Sequence, residues 1–298
     1  LLPLVLFSCR PSINEEELVF LTPDIEIDML SDSTFFSEIG ILLSHQGDIY
    51  MSTPERVQLV RMDKDLNLKN TIGRQGRGPQ ELLFFKSFLV TDDEVWIGDP
   101  NVSAFRKFTP EGQFIATETK SQNHYNNIER CAIEGDKIYF SDPNHDTQTS
   151  LSMLDLAQED DSLRLRRFGT LTDFNHPSKS VLMNRSHIFI DQDYLIVVPL
   201  SIPVIQKYDK NTLELVETFD LMQISNMKGV YNHAISTEAA KLPNASYGLI
   251  SDAYLHNNLL YIASFTSNNM PKDERSDFYG VMVFDISGTP RYVKRYLC

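Results

Sequence analysis

The sequence predicts an all-β chain, a β-propeller of four-stranded antiparallel blades. Three observations predict it. A two-strand core recurs five times, a further strand precedes each core and another follows it, and no helical period runs between them. The cores are Gly47–Met51 with Val57–Asp63, Glu94–Ile97 with Ala104–Phe108, Asp136–Phe140 with Leu151–Asp155, Tyr194–Val198 with Val204–Asp209, and Leu259–Ile262 with Gly280–Asp285. From Ile49 to Val95, Ile138, Leu195 and Leu260 the steps are 46, 43, 57 and 65 residues. The preceding strands are Ile39–Ser44, Ser87–Thr91, Arg130–Ile133, His187–Ile190 and Leu249–Ala253, and Phe114–Glu118 and Leu213–Phe219 are examples of following ones. An ordered four-strand unit of this length marks propeller blades. A sandwich would space its strands evenly without such a unit.

Val19–Leu21 and Ile25–Ile27 supply one more strand upstream of the first blade. An open ring leaves exposed sheet edges, so an N-terminal strand is expected to complete the last blade. The ring then closes on five blades, or it is of a six-bladed type whose last blade stops short at Cys298. The second is the expectation here.

Composition sets the outer limits. With 27 Lys and Arg against 41 Asp and Glu, the net charge is −14, and so acidic a surface repels phosphate backbones. No nucleic-acid partner is expected. A chain of 298 residues buries enough surface to fold without a disulfide or metal staple. The three cysteines agree, since Cys9, Cys131 and Cys298 form no CxxC pair and no even-numbered framework.

The N-terminus reads as an address. Leu1–Ser8 is an apolar run ending in a small residue before Cys9, the back half of a signal peptide. Leu6-Phe7-Ser8-Cys9 resembles a bacterial lipobox, which implies a diacylglycerol on the Cys9 sulfur. The expected organisation is a signal-peptide remnant over 1–9, a polar acidic tether over 10–17 and one propeller domain over 18–298. The implied location is the cell envelope, lipid-anchored, at the outer membrane.

Ile72-Gly-Arg-Gln-Gly-Arg-Gly-Pro-Gln-Glu81, the strand pair over Ser87–Asp99 and the lipobox together resemble the TolB-like six-bladed β-propeller lipoproteins of Bacteroidota. The resemblance is sharpest at Gly73–Glu81 and implies fold and address more than activity. The sixth blade of that family is what this chain lacks.

Let the strands of a blade run A (inner) to D (outer). Antiparallel alternation then puts D–A links and B–C turns on one face, and A–B and C–D turns on the other. The second set is short, as at Gln46–Asp48, Asp63–Asp65, Pro110–Gly112 and Asp191–Asp193. The D–A links over 73–86, 120–129, 169–186 and 221–248 are long and read as irregular. Long loops on a rigid scaffold commonly carry binding.

Two features fall on that face. In the glycine-rich segment, Arg74 and Arg77 suit a forked pair with a carboxylate, while the alternative is a tight link in which they pair with Glu81. The second is an Asn-His dipeptide at His124, His176 and His233 in three D–A links and at His145 in a B–C turn. Four rim imidazoles suit one divalent metal, and the alternative is turn capping. Asp99-Pro-Asn101 and Asp142-Pro-Asn144 read as equivalent B–C turns with Pro at the second position. Arg74, Arg77, Glu81, Asn101, Asn144 and Tyr231 are therefore candidate ligand residues, and His124, His145, His176 and His233 candidate metal ligands. No nucleophile or paired-carboxylate arrangement is legible.

The leading expectation is a non-catalytic module that binds a protein or small ligand through the D–A/B–C face, with no cofactor. The alternatives are a metal-dependent hydrolase or lyase on the His rim and a structural subunit of an outer-membrane complex.

Overall fold

A computed structural model describes residues 18–20, 40–53, 57–78, 80–84, 87–99, 104–119, 131–236, 242, 247–264 and 280–297. A short strand β1 (Leu18–Phe20) comes first. Blade 1 is β2 (Leu42–His45), β3 (Asp48–Thr53), β4 (Gln58–Met62) and β5 (Leu68–Ile72). Blade 2 is β6 (Ser87–Val90), β7 (Val95–Asp99), β8 (Ala104–Phe108) and β9 (Phe114–Thr119). Blade 3 is β10 (Cys131–Glu134), β11 (Lys137–Asn144), β12 (Thr149–Asp155) and β13 (Leu165–Phe168). Blade 4 is β14 (Ser186–Asp191), β15 (Tyr194–Pro199), β16 (Val204–Asp209) and β17 (Leu215–Asp220). Blade 5 is β18 (Ile250–His256), β19 (Leu259–Ser264), β20 (Val281–Asp285) and β21 (Arg291–Leu297). Each blade is an antiparallel meander in sequence order, and the first strands of blades 2 to 5 touch in succession, which makes them the inner strands.

Period-two alternation explains how blades stack, because successive side chains leave opposite faces of the sheet. In β15, Leu195 and Val197 join Tyr139, Leu151 and Met153 of blade 3. Ile196 and Val198 join Leu260, Ile262, Met282 and Phe284 of blade 5. Trp96 and Phe105 meet Ile138 and Phe140 between blades 2 and 3. Leu59 and Ile72 meet Phe88 and Ile97 between blades 1 and 2. Among the described residues no such cluster joins blade 5 to blade 1. A smaller one, on Met51, Val60 and Met62, belongs to blade 1 alone.

Cross-strand cation–aromatic pairs recur inside the blades. Lys107 lies 4.1 Å over the Trp96 ring, and Arg61 lies 5.8 Å from the Tyr50 centroid at the same register. Such pairs contribute about 0.5–2 kcal/mol each.

The structure departs from the sequence reading in four places. β1 does not fill a vacant place in the last blade. It adds a fifth strand, parallel to β21, to a blade already complete, with Leu18 opposite Arg295 and Phe20 opposite Leu297. Two D–A links are not irregular: α2 (Pro177–Met183) lies in one, and a 3-10 turn (Leu221–Gln223) followed by α3 (Ser225–Ser236) lies in the other. The C–D connection of blade 3 also holds a helical turn, α1 (Asp161–Arg164). Among the described residues these short helices bury Ser180 and Met183 from α2 and Met227 and Val230 from α3, too few apolar positions to print a helical period. Finally, the B–C turn of blade 3 is His145–Gln148, because β11 continues through Pro143 to Asn144 with a register irregularity.

The signal-peptide remnant, its Cys9 and the tether lie outside the described residues, as do Asn101 and His124. Among the described residues, no helix is long and apolar enough to cross a membrane.

Candidate functional site

The two faces of the propeller are built differently. On the A–B/C–D face, turns of neighbouring blades are tied by polar contacts. His45 and Gln46 of blade 1 reach Asp92 of blade 2 at 3.0 and 2.7 Å. Arg61 and Asn70 both donate to the Pro110 carbonyl at 3.1 Å. Lys210 of blade 4 reaches Glu134 of blade 3 at 2.8 Å. Asp48 takes Arg61 at 2.6 Å and Lys69 at 2.9 Å. Burial alone would raise the Asp48 pKa, but hydrogen bonds from Lys69 and Arg61 outweigh it and hold the carboxyl below its usual range.

The D–A/B–C face carries the long links. In the glycine-rich link, the Glu81 carboxylate turns inward, accepting from the Gly78 N–H at 2.8 Å and pairing with Arg74 at 2.9 Å. The Gly78 N–H, then the Arg74 charge, hold Glu81 below the usual carboxylate range. Leu82 donates to the Arg74 carbonyl and Gly76 to the Leu82 carbonyl, closing the link on itself. Leu82 is fully buried between blades 1 and 2. Glycine is needed at two points. Gly73 sits at φ +76° and a Cβ there would stand 2.6 Å from Leu82 Cδ1, while a Cβ at Gly76 would strike the Glu81 carboxylate. The segment is thus a clasp whose exposed Arg74 pairs with Glu81, and Arg77 is a second exposed cation.

The described Asn-His positions sit in different local settings. Asn144 Oδ1 accepts from the Thr147 N–H, and the His145 carbonyl from the Gln148 side chain, so this pair caps its turn. Asn175 adopts φ +60° just before α2, and His176 holds the N-cap position of that helix without a side-chain cap bond. The Nδ1 atom of His176 is buried and makes no hydrogen bond among the described residues. His233 lies on α3. Among the described residues no group of three or more His, Cys, Asp or Glu side chains is placed to hold a metal ion. Tyr231, also on α3, meets Tyr247 at the entry to blade 5. Burial, then the charge and hydrogen bond of the Tyr231 hydroxyl, push the Tyr247 hydroxyl up to about 12.

The B–C ends carry buried acids, one of which holds a link. Asp99, fully buried, accepts from the Leu83 N–H at 2.8 Å and lies 4.0 Å from Arg106. Asp142 accepts from Ser152 at 2.8 Å and lies 3.6 Å from Arg167.

Sequence reasoning missed one pair. Buried His187 on β14 lies 3.9 Å from half-exposed Asp252 on β18, which joins the inner strands of blades 4 and 5. Both occupy the register position that Ser87 holds in blade 2, opposite Val198, Ala263 and Gly98 respectively. Each of those partners lies three residues after the repeat positions Leu195, Leu260 and Val95. Aligning inner strands on that register, rather than seeking a shared dipeptide, would have found the pair.

A succession of four-stranded meanders whose inner strands touch in turn, with the long links on one face, is a β-propeller. The chain belongs to the DUF5128 family, described as a 6-bladed beta-propeller, whose pattern matches residues 30–273. The described residues form five blades. No curated protein matches the sequence. Solved structures share the fold. One is a protein of Bacteroides fragilis described as exported, at TM-score 0.56 and 14% identity over 94% of this chain and 79% of that one. Another is a DUF4221 family member from Bacteroides vulgatus, at TM-score 0.51 and 9% identity over 90% of this chain and 83% of that one.

Proposed function

We propose that this propeller is a non-catalytic binding module of the cell envelope, anchored by lipid on Cys9, that engages a protein or small ligand through its D–A/B–C face. One observation carries the reading, the contrast between the faces. Polar ties between neighbouring turns occupy the A–B/C–D side. The other side presents long links, the helices α2 and α3, the exposed Arg77 and the His187–Asp252 pair. The fold neighbour described as exported agrees with the address. TolB-like lipoprotein character, the outer membrane and the absence of a cofactor belong to the same proposal.

The test is face-specific photocrosslinking in cells. A photoreactive residue replaces Gln75 or Asp146 on the D–A/B–C face, and Lys64 or Asp93 on the other. Adducts, identified by mass spectrometry, are expected from Gln75 and Asp146 only. Equal or greater yield from Lys64 and Asp93 overturns the assignment.

A further inference from the structure

β1 carries directional information. β21 starts after the C–D turn of blade 5, so it runs from the A–B/C–D face toward the D–A/B–C face. β1 is parallel to it, with Leu18 opposite Arg295 and Phe20 opposite Leu297. The chain therefore reaches Leu18 from the A–B/C–D side and leaves Phe20 toward the D–A/B–C side, where β2 of blade 1 begins. Anything attached upstream of Leu18 pulls from the first side.

Lengths sharpen this. Cys9 lies nine residues before Leu18, which is at most about 30 Å of extended chain. Leu18 sits four residues inside the start of β21, about 13 Å of strand. A fully extended tether would clear the A–B/C–D rim by at most about 17 Å, roughly two Debye lengths at physiological salt. The acidic turns there (Asp63, Asp65, Asp92, Asp93 and Glu111) are then screened from an anionic surface. To present the other face, the tether would have to reverse at Leu18, spend about four residues on the turn and press the long links against the headgroups.

Resting on the lipid anchor proposed above, we propose that the β1–β21 pairing orients the propeller on its membrane. The A–B/C–D face looks toward the lipid and the D–A/B–C face away from it, open to a partner. The stitched side faces the membrane and the loop side is presented.

A synthetic anchor tests this independently of lipidation in cells. The chain from Cys9 onward, with Cys131→Ser and Cys298→Ser, is coupled through Cys9 to a maleimide lipid in phosphatidylcholine vesicles carrying a headgroup energy acceptor. A donor dye is clicked to an azide-bearing residue at Lys64 or at Asp146. Energy transfer is expected to be at least about twofold greater from Lys64. A Val19→Pro, Phe20→Pro variant, which removes backbone donors from β1, is expected to keep its thermal transition and lose the asymmetry. Equal transfer from the two sites, greater transfer from Asp146, or asymmetry that survives the proline variant overturns the proposal. Fatty-acid labelling of the native chain and of Cys9→Ala tests the anchor by itself, so the two failures are distinguishable.

Discussion

Leu82→Ala tests whether the glycine-rich link is a packed clasp or a free loop. Leu82 is fully buried against the seam of blades 1 and 2, with Ile97 and Gly73 beside it. Truncating a buried Leu costs about 2.7–5 kcal/mol, depending on how far the site collapses. Gly73 has no side chain to move into the void, and a loss of about 3 kcal/mol is expected. For 298 residues the unfolding entropy is about 0.6 kcal/mol per degree, so the transition should fall by roughly 5 °C. Phe84, two residues on and 45% exposed, is the control: Phe84→Ala should move it by less than about 1.5 °C. The pair Gly73 and Leu82 adds a second arm. Gly73→Ala meets both a left-handed φ and the Leu82 methyl, and only the second penalty disappears when Leu82 is already Ala. A double-mutant cycle should therefore show coupling that favours the double variant by about 1 kcal/mol. Calorimetry of the four variants reads all of this. A Leu82→Ala shift no larger than that of Phe84→Ala, or a cycle with no coupling, refutes the clasp.

Asp48→Asn should cost about 2 kcal/mol at pH 7, because a mostly buried carboxylate loses its charge-assisted bonds to Arg61 and Lys69. The folded pKa of Asp48 is depressed. Its contribution is therefore present above the unfolded value of about 3.9 and lost as pH falls through the lower folded value. The gap between the native chain and Asp48→Asn in thermal scans should narrow progressively as pH falls below the ordinary carboxylate range; a gap that does not narrow with acidification contradicts the pairing. Cys9→Ala should abolish fatty-acid labelling and move the chain from the membrane to the soluble fraction, and retained labelling would place the lipid elsewhere. Metal analysis of chelator-free protein should find no stoichiometric divalent ion, with His176→Ala and His233→Ala unchanged. One ion per chain, lost in those variants, would favour the hydrolase or lyase alternative instead and call for substrate screening.

Architecture was legible because the blade repeat is written in local pattern. Ile49, Val95, Ile138, Leu195 and Leu260 each lie at the start of an alternating strand, and in the strands of Val95, Ile138 and Leu195 alternate residues pack on opposite neighbours; alternation needs no tertiary knowledge to read. The helices were not legible, because α2 and α3 are held by two or three buried residues over the blade ends rather than by an apolar stripe. The site was legible only in part. Arg74 and Glu81 were correctly set beside each other by proximity in sequence. His187 and Asp252 lie 65 positions apart and meet only because register places equivalent residues of adjacent inner strands side by side. The Asn-His dipeptides at the described positions illustrate the converse. A shared pair of letters marks a shared turn chemistry, as the caps at Asn144 and the left-handed Asn175 demonstrate, and carries no information about where the imidazoles point.

The difference between the two faces follows from the connection rules of the meander itself. A–B and C–D connections join adjacent strands of one sheet and, apart from the C–D connection of blade 3 that carries α1, the described ones are short turns, and such turns at similar height in neighbouring blades can be cross-tied, as Arg61 is to Pro110 and Lys210 to Glu134. D–A connections must travel from the outer edge of one blade to the inner strand of the next, so they are long and need their own anchors. Leu82, Asp99 with the Leu83 N–H, Met183 and the Met227–Val230 pair are those anchors. Each uses a few buried atoms to fix a link while leaving its outer surface unconstrained by the fold. Substitutions at Arg77, Gln75 or Asp146 should therefore change what the propeller engages with little effect on stability. Substitutions at Leu82 or Asp99 should change both.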